Sequence, residues 1–131
     1  MKNPSGSSKV LHITLWIMQV LLAAMLLWAA GMKLFQPVSQ LAQQWPWTGE
    51  VAPAFVKFTG IIDLLAGLGL ILPTLLRIRP KLTTLTALLV ILLMLAAIVF
   101  HVSRGEASVT GVNVLFAAMA AFVAWGRNKR P

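Results

Sequence analysis

Long apolar runs separated by short polar connections dominate the chain. Four runs stand out, at about residues 13–35, 54–76, 82–102 and 109–125. A helix of about 20 apolar residues crosses the roughly 30 Å hydrocarbon core of a bilayer, because each residue advances it by about 1.5 Å. The runs are continuous rather than alternating, which argues against the strands of a membrane barrel. The pattern therefore predicts an all-α integral membrane protein, a four-helix bundle in one domain over residues 13–126.

The composition strengthens this prediction. Of the 131 residues 59% are hydrophobic and 11% are charged, whereas a soluble domain has about 25% charged residues. The absence of cysteine excludes disulfides, thiolate metal sites and cysteine nucleophiles. A net charge of +8 would suggest nucleic acid in a soluble protein, but here the cations form short clusters between apolar runs. We therefore expect the lipid bilayer as partner and no nucleic acid.

The basic clusters predict the orientation of the helices. They precede the first run, join the second to the third and follow the fourth, comprising Lys2, Lys9, Arg77, Arg79, Lys81, Arg127, Lys129 and Arg130. All fall on one side of a four-span chain, and the positive-inside rule makes that side, with both termini, cytoplasmic. Residues 1–12 are expected to be a disordered cytoplasmic segment and residues 127–131 a basic cytoplasmic tail. The first run exceeds the 7–15 apolar residues of a signal peptide, so a retained span is expected.

One long connection, at about residues 36–53, contains Trp45, Pro46 and Trp47. Two interpretations are open for it. The tryptophans could form a lid over an outward-facing cavity, or they could anchor the connection in the lipid headgroup layer, where tryptophan is enriched. The anchor is the simpler interpretation.

Polar and small residues within each run share one helical face at about 100° per residue. The four stripes are Gln19, Ala23, Ala30 and Lys33; Gly60, Asp63 and Gly67; Met94, Ala97 and His101; and Asn113, Ala117, Ala120 and Ala124. Small residues let helices approach closely in lipid, and polar side chains in hydrocarbon face the protein interior. All four stripes are therefore expected to face inward.

Four polar residues of these stripes belong to the outer half of the predicted bundle: Lys33, Asp63, His101 and Asn113. Together they would form a pocket for a small polar or quinone-like molecule. A structural role is equally open, in which Asp63 pairs with Lys33 or His101 and Asn113 completes the hydrogen bonds.

Several kinds of site have no support in the sequence. The chain has no Gly-rich phosphate loop, no His/Glu metal-ligand spacing and no paired carboxylates. His12 and His101 are expected on opposite sides of the membrane, which argues against haem ligation. No catalytic residue, metal site or cofactor is expected from the residues themselves, and the sequence argues against an enzyme.

Motifs in all four runs, taken in order, resemble those of a known family. They are Gly31-x-Lys33-Leu34, then Gly60-x-x-Asp63-x-x-x-Gly67-x-Gly69-Leu70-x-x-Pro73, then the segment from Met94 to His101, then Asn113 followed by Trp125-x-Arg127. Together they resemble the DoxX-like family of small four-helix bacterial membrane proteins. Asp63 departs from the pattern, since the family more often has Glu there; the carboxylate is kept with a shorter reach.

The resemblance implies a multi-pass protein of the bacterial inner (plasma) membrane. The family's namesake is similar to the small membrane subunit of a thiosulfate:quinone oxidoreductase. We therefore expect a non-catalytic subunit or accessory protein of a membrane-associated redox system, with a quinone as a possible ligand and a redox protein or a second copy as a possible partner. The alternative is a small proton-coupled transporter similar to the small multidrug resistance proteins. Those carry their essential acid in the first helix, where this chain has only Gln19 and Lys33 as polar candidates.

Overall fold

The computed structural model describes residues 6–79 and 81–129. Its α-helices are α1 (Gly6–Phe35), α2 (Val38–Gln44), α3 (Pro53–Leu76), α4 (Lys81–Ser103) and α5 (Gly111–Lys129), with short 3-10 helices at Pro46–Gly49 and Ala107–Val109. No strand occurs within these described ranges. The prediction of an all-α protein is confirmed.

Three helical stretches among the described residues are long and apolar enough to cross a membrane. They are Ser8–Phe35, Pro53–Leu76 and Lys81–Ser103. Helix α5, with 19 residues, is outside this set because polar residues near both of its ends lower its mean hydropathy; they are Asn113, Arg127, Asn128 and Lys129. The segment predicted as a fourth crossing is thus a shorter helix of mixed composition.

Residues 6–12 and 127–129 are helical, which differs from the sequence prediction. Helix α1 begins at Gly6, so the prediction of a disordered segment over residues 1–12 is wrong for residues 6–12; residues 1–5 lie outside the described ranges. The early turns of α1 are held by tertiary contacts, since Nδ1 of His12 is 3.0 Å from Nη1 of Arg127. Helix α5 likewise continues to Lys129, so residues 127–129 are helical rather than a tail, and residues 130–131 lie outside the description.

The core takes one face from each long helix. Its buried members are Leu22, Ala23, Leu26, Leu70, Ala87, Val90, Met94, Ala120, Val123 and Ala124. Helix α1 packs on α3, α3 on α4, α4 on α5 and α5 on α1. Glycines permit the closest approach: a Cβ added at Gly67 would lie 2.7 Å from the Leu27 side chain. The faces predicted to point inward are the ones that the structure buries.

The long helices alternate in direction, so their connections collect at two ends. We call the end formed by residues 36–52 and 104–110 the tryptophan end. The other, formed by residues 6–12, 77–79 and 127–129, is the arginine end. Segment 36–52 was predicted only as a long connection; it contains α2 and a 3-10 helix that bury Leu41 and Thr48.

Candidate functional site

A cavity of about 610 Å³ lies at the tryptophan end, among α1, α3, α4, α5 and residues 44–47. Small-molecule sites typically measure about 300–1,000 Å³. All four residues singled out in the sequence line this cavity: Lys33, Asp63, His101 and Asn113. The structure brings them together; their role in ligand binding stays a prediction.

Lys33 and Asp63 form an ion pair at the cavity wall. Nζ of Lys33 is 2.8 Å from Oδ2 of Asp63, and the two side chains are only 13% and 7% exposed. Gly60 makes the pair possible, because a Cβ there would lie 2.9 Å from Cβ of Lys33 and push α1 away from α3. Of the two partners that the sequence left open for Asp63, the structure therefore selects Lys33. The opposite charges neutralise each other, so the pair presents no net charge to the cavity.

His101 instead belongs to a chain of charged contacts above the cavity. Its Nδ1 is 2.9 Å from Oε1 of Glu106, and Nε of Arg104 donates to the same oxygen at 3.3 Å. Arg104 also pairs with Glu50 of segment 36–52. The hydrogen bond with His101, together with the hydrogen bond and the charge of Arg104, holds the pKa of the Glu106 carboxyl below its ordinary value of 4.5. These contacts tie segment 36–52 to the connection between α4 and α5.

Aromatic side chains form the upper wall. The ring of Trp47 packs edge-on against Phe55, Phe100 and His101, with centroid distances of 6.4, 5.8 and 6.3 Å. Nζ of Lys33 lies 5.5 Å from the centroid of the same tryptophan, within the range of a cation–π contact. Trp45 and Trp47 thus lie against the helices and line the cavity, which favours the lid interpretation over the headgroup anchor.

Asn113 completes the polar lining near the start of α5. Its side-chain amide is partly buried and has no hydrogen-bond partner in the part of the chain that the structure describes. It does not complete the hydrogen bonds of Asp63, as the structural interpretation had it. An amide offers both donors and an acceptor, so this side chain can bind a polar group inside the cavity. Met94 and Phe116 supply apolar surface beside it.

Comparison with known proteins identifies the chain at family level. A sequence model of the DoxX-like family matches residues 17–123, most of the chain. The protein belongs to the DoxX-like family. The match includes every residue of the predicted pocket and confirms the resemblance seen in the motifs. No curated protein and no solved structure matched the chain.

The sequence interpretation of this DoxX-like protein missed a second polar cluster, at the arginine end. Nε2 of Gln19 donates to the carbonyl of Leu70 at 2.6 Å, while Nε of Arg127 donates to Oε1 of Gln19. The guanidinium of Arg127 also lies 5.4 Å from the centroid of the Trp16 ring. Both Gln19 and Arg127 are completely buried.

Burial of Arg127 within α5 corrects its assignment to a basic tail that follows the last helix. A signal for this was present in the sequence: Arg127 follows Ala120 by seven residues, so the two share a helical face at 100° per residue. The inward-facing stripe predicted for α5 ended at Ala124, about one turn before Arg127. Arginine tolerates burial because its fork of donors can be satisfied by several acceptors at once.

Proposed function

We propose that this DoxX-like protein is a four-helix bundle that spans a bacterial inner membrane four times, with both termini in the cytoplasm. Support for α5 as the fourth span is its packing against α4 and α1. Support for the orientation is the charge distribution. The arginine end carries cations with no acid in the described chain, whereas acidic Glu50 and Glu106 lie at the tryptophan end.

The function that we propose is non-catalytic: a subunit or accessory protein of a membrane-associated redox system that holds a quinone in the cavity. The observation that carries the proposal is the cavity itself, which joins aromatic walls to a few polar groups. The aromatic wall at Trp47 and Phe100 suits a flat ring. Ring oxygens can accept hydrogen bonds from the Asn113 amide or the Lys33 ammonium. In this proposal the chain binds and positions the quinone, and a redox protein partner exchanges electrons with it.

A proton-coupled transporter of the small-multidrug-resistance type is the alternative. Such a protein needs an acid that gains and loses a proton in each cycle. Small multidrug resistance proteins carry that acid in the first helix, whereas Asp63 lies on α3 and contacts Lys33 at 2.8 Å, which favours the binding role. Proton-dependent efflux of a cationic dye from proteoliposomes, abolished in Asp63→Asn, would reverse this preference.

The test is mass spectrometry of the protein purified at native abundance from its own membranes in mild detergent. We expect a retained quinone and a stoichiometric redox protein. Asn113→Ala should lower quinone occupancy, because this amide lines the cavity and has no partner elsewhere in the described chain. The matched control is Asn128→Ala, on an exposed position of the same helix outside the cavity. A lone protein that retains only ordinary phospholipid would contradict the proposal.

A further inference from the structure

Helices α1 and α5 pack closely near the arginine end but not near the tryptophan end. Near the arginine end the two helices touch: a Cβ added at Gly126 would overlap the side chain of the completely buried Leu15. The hydrogen bond between Arg127 and Gln19 joins the same two helices one turn further along α1. In this region the seam between α1 and α5 is closed.

Towards the tryptophan end the same seam is open. Met25 and Trp28 on α1 and Val112 on α5 all line the cavity, yet they are 44%, 48% and 49% exposed. Side chains of a closed seam would be buried from both sides, as Leu22 and Ala120 are. The cavity therefore reaches the lateral surface between α1 and α5, at a depth that α1 places within the apolar layer.

Segment 36–52 covers part of the cavity on the side of the connections. Segment 36–52 lies over the helix ends, with Trp47 packed on Phe55 and Phe100. The ion pairs of Arg104 with Glu50 and Glu106 join this segment to the connection between α4 and α5. On the side of the connections the exposed residues that line the cavity include polar Gln44 and Ser108, whereas a ligand dissolved in the bilayer meets the half-exposed apolar side chains of the seam.

We propose that the cavity is filled sideways from the bilayer, through the opening between α1 and α5, by a neutral lipid-soluble molecule with a polar head and an apolar tail. This inference rests on the proposed function and specifies its ligand class and route. The head is neutral because Lys33 and Asp63 already compensate each other. The tail remains in the opening between Trp28 and Val112, in contact with lipid, while the head reaches the ion pair and Asn113.

The test measures entry with a photoreactive quinone that carries a decyl tail, added to vesicles containing the purified protein. Samples are irradiated after increasing incubation times, and the labelled peptides are identified by mass spectrometry. In the wild type we expect labels near Met25, Trp28 and Val112, removed by excess decylubiquinone. Val112→Phe narrows the opening and should slow labelling about tenfold, which corresponds to about 1.4 kcal/mol in the entry barrier.

The matched control is Val114→Phe, since Val114 is a half-exposed valine of the same helix outside the cavity. It should label at the wild-type rate. Equal rates in the two variants would overturn the lateral route while leaving quinone binding intact. Wild-type labelling that excess decylubiquinone does not reduce would overturn the proposed function itself. A change of oligomeric state confined to Val112→Phe, measured by light scattering, would show that a second copy covers the opening and would also overturn the inference.

Discussion

The two ends of the molecule use similar chemistry in opposite surroundings. At each end a cation from one helix binds a side-chain oxygen on another: Lys33 binds Asp63 at the tryptophan end, and Arg127 binds Gln19 at the arginine end. Gln19 and Arg127 are completely buried, and Leu15 packs against Gly126 beside them. The lysine pair instead borders a cavity of about 610 Å³.

This difference separates stability from binding. A polar cluster enclosed by tightly packed side chains has no room for a ligand, so its contacts can only hold helices together. A polar pair beside a cavity can stabilise the fold and also bind a ligand, because its polar atoms border space that a ligand can occupy. The comparison predicts that substitutions at the arginine end affect stability but not binding, and that those at the ion pair of the tryptophan end affect both.

The largest effect is expected from Lys33→Met, and it should exceed that of Asp63→Asn. Removal of the lysine leaves an unpaired carboxylate that is 5% exposed and too short to extend to the headgroups, a loss of about 3 kcal/mol for a broken buried pair. Removal of the acid leaves a lysine in the last turn of α1, whose long side chain can extend to the headgroups, so about 1 kcal/mol is expected. Reversible unfolding in mixed micelles measures both.

Lys57→Met is the control for these two variants. Lys57 is an exposed lysine at the same end and donates only to the carbonyl of Leu34, so a change of less than about 0.5 kcal/mol is expected. Equal losses for Lys33→Met and Asp63→Asn would show that the lysine is trapped at the cavity. The tryptophan end would then be as enclosed as the arginine end.

The arginine end is tested next by Gln19→Leu. This change removes the acceptor of a completely buried guanidinium and the donor to the Leu70 carbonyl. Loss of a hydrogen bond to a buried charged group costs about 2 kcal/mol. Gln43→Leu, on an exposed residue of α2, provides the matched control. The variant should still bind quinone; a loss of binding without a loss of stability would contradict the separation of roles.

Gly126→Ala should have a somewhat smaller effect at the same end. The new methyl group would overlap Leu15, which is buried and cannot move without displacing its neighbours, so overpacking should cost about 1.5 kcal/mol. Gly31→Ala is the control, because a Cβ there meets no atom within 4 Å. That variant should gain about 0.5 kcal/mol from helix propensity. Thermal unfolding in detergent measures both variants: Gly126→Ala should lower the melting temperature and Gly31→Ala should raise it. A shift in the same direction for both would contradict the tight packing at Gly126.

The sequence was sufficient to predict which side of each helix is buried. Burial of Gly60, Asp63 and Gly67 follows from their spacing, because a polar or small stripe has one low-energy orientation in lipid. The convergence of the pocket residues followed from the same rule together with their depth. The pairing of Asp63 with Lys33 rather than with His101 could not be predicted in this way, because it depends on the order of the helices around the core.

Two other features, the short helix α2 and the burial of Arg127, could not be predicted from hydrophobic periodicity or charge distribution. Helix α2 is seven residues long and mixes polar and apolar positions, so no period distinguishes it from a loop. Arg127 follows the last apolar run, where the positive-inside rule treats every cation as solvated. Its burial depends on Gly126, which brings α5 against Leu15 and places the guanidinium beside Gln19.

The smallest effect is expected from acid, and only at the tryptophan end. Because the pKa of Glu106 is lowered by His101 and Arg104, its contribution to folding is complete above the ordinary value of 4.5 and is lost as the pH falls below it. Hydrogen exchange, corrected for intrinsic rates, should show segment 36–52 losing protection between about pH 5 and pH 3. Peptides from residues 120–129 serve as the internal control and should not change. Glu106→Gln should remove the pH dependence of segment 36–52; if that dependence persists, another acid holds the segment in place.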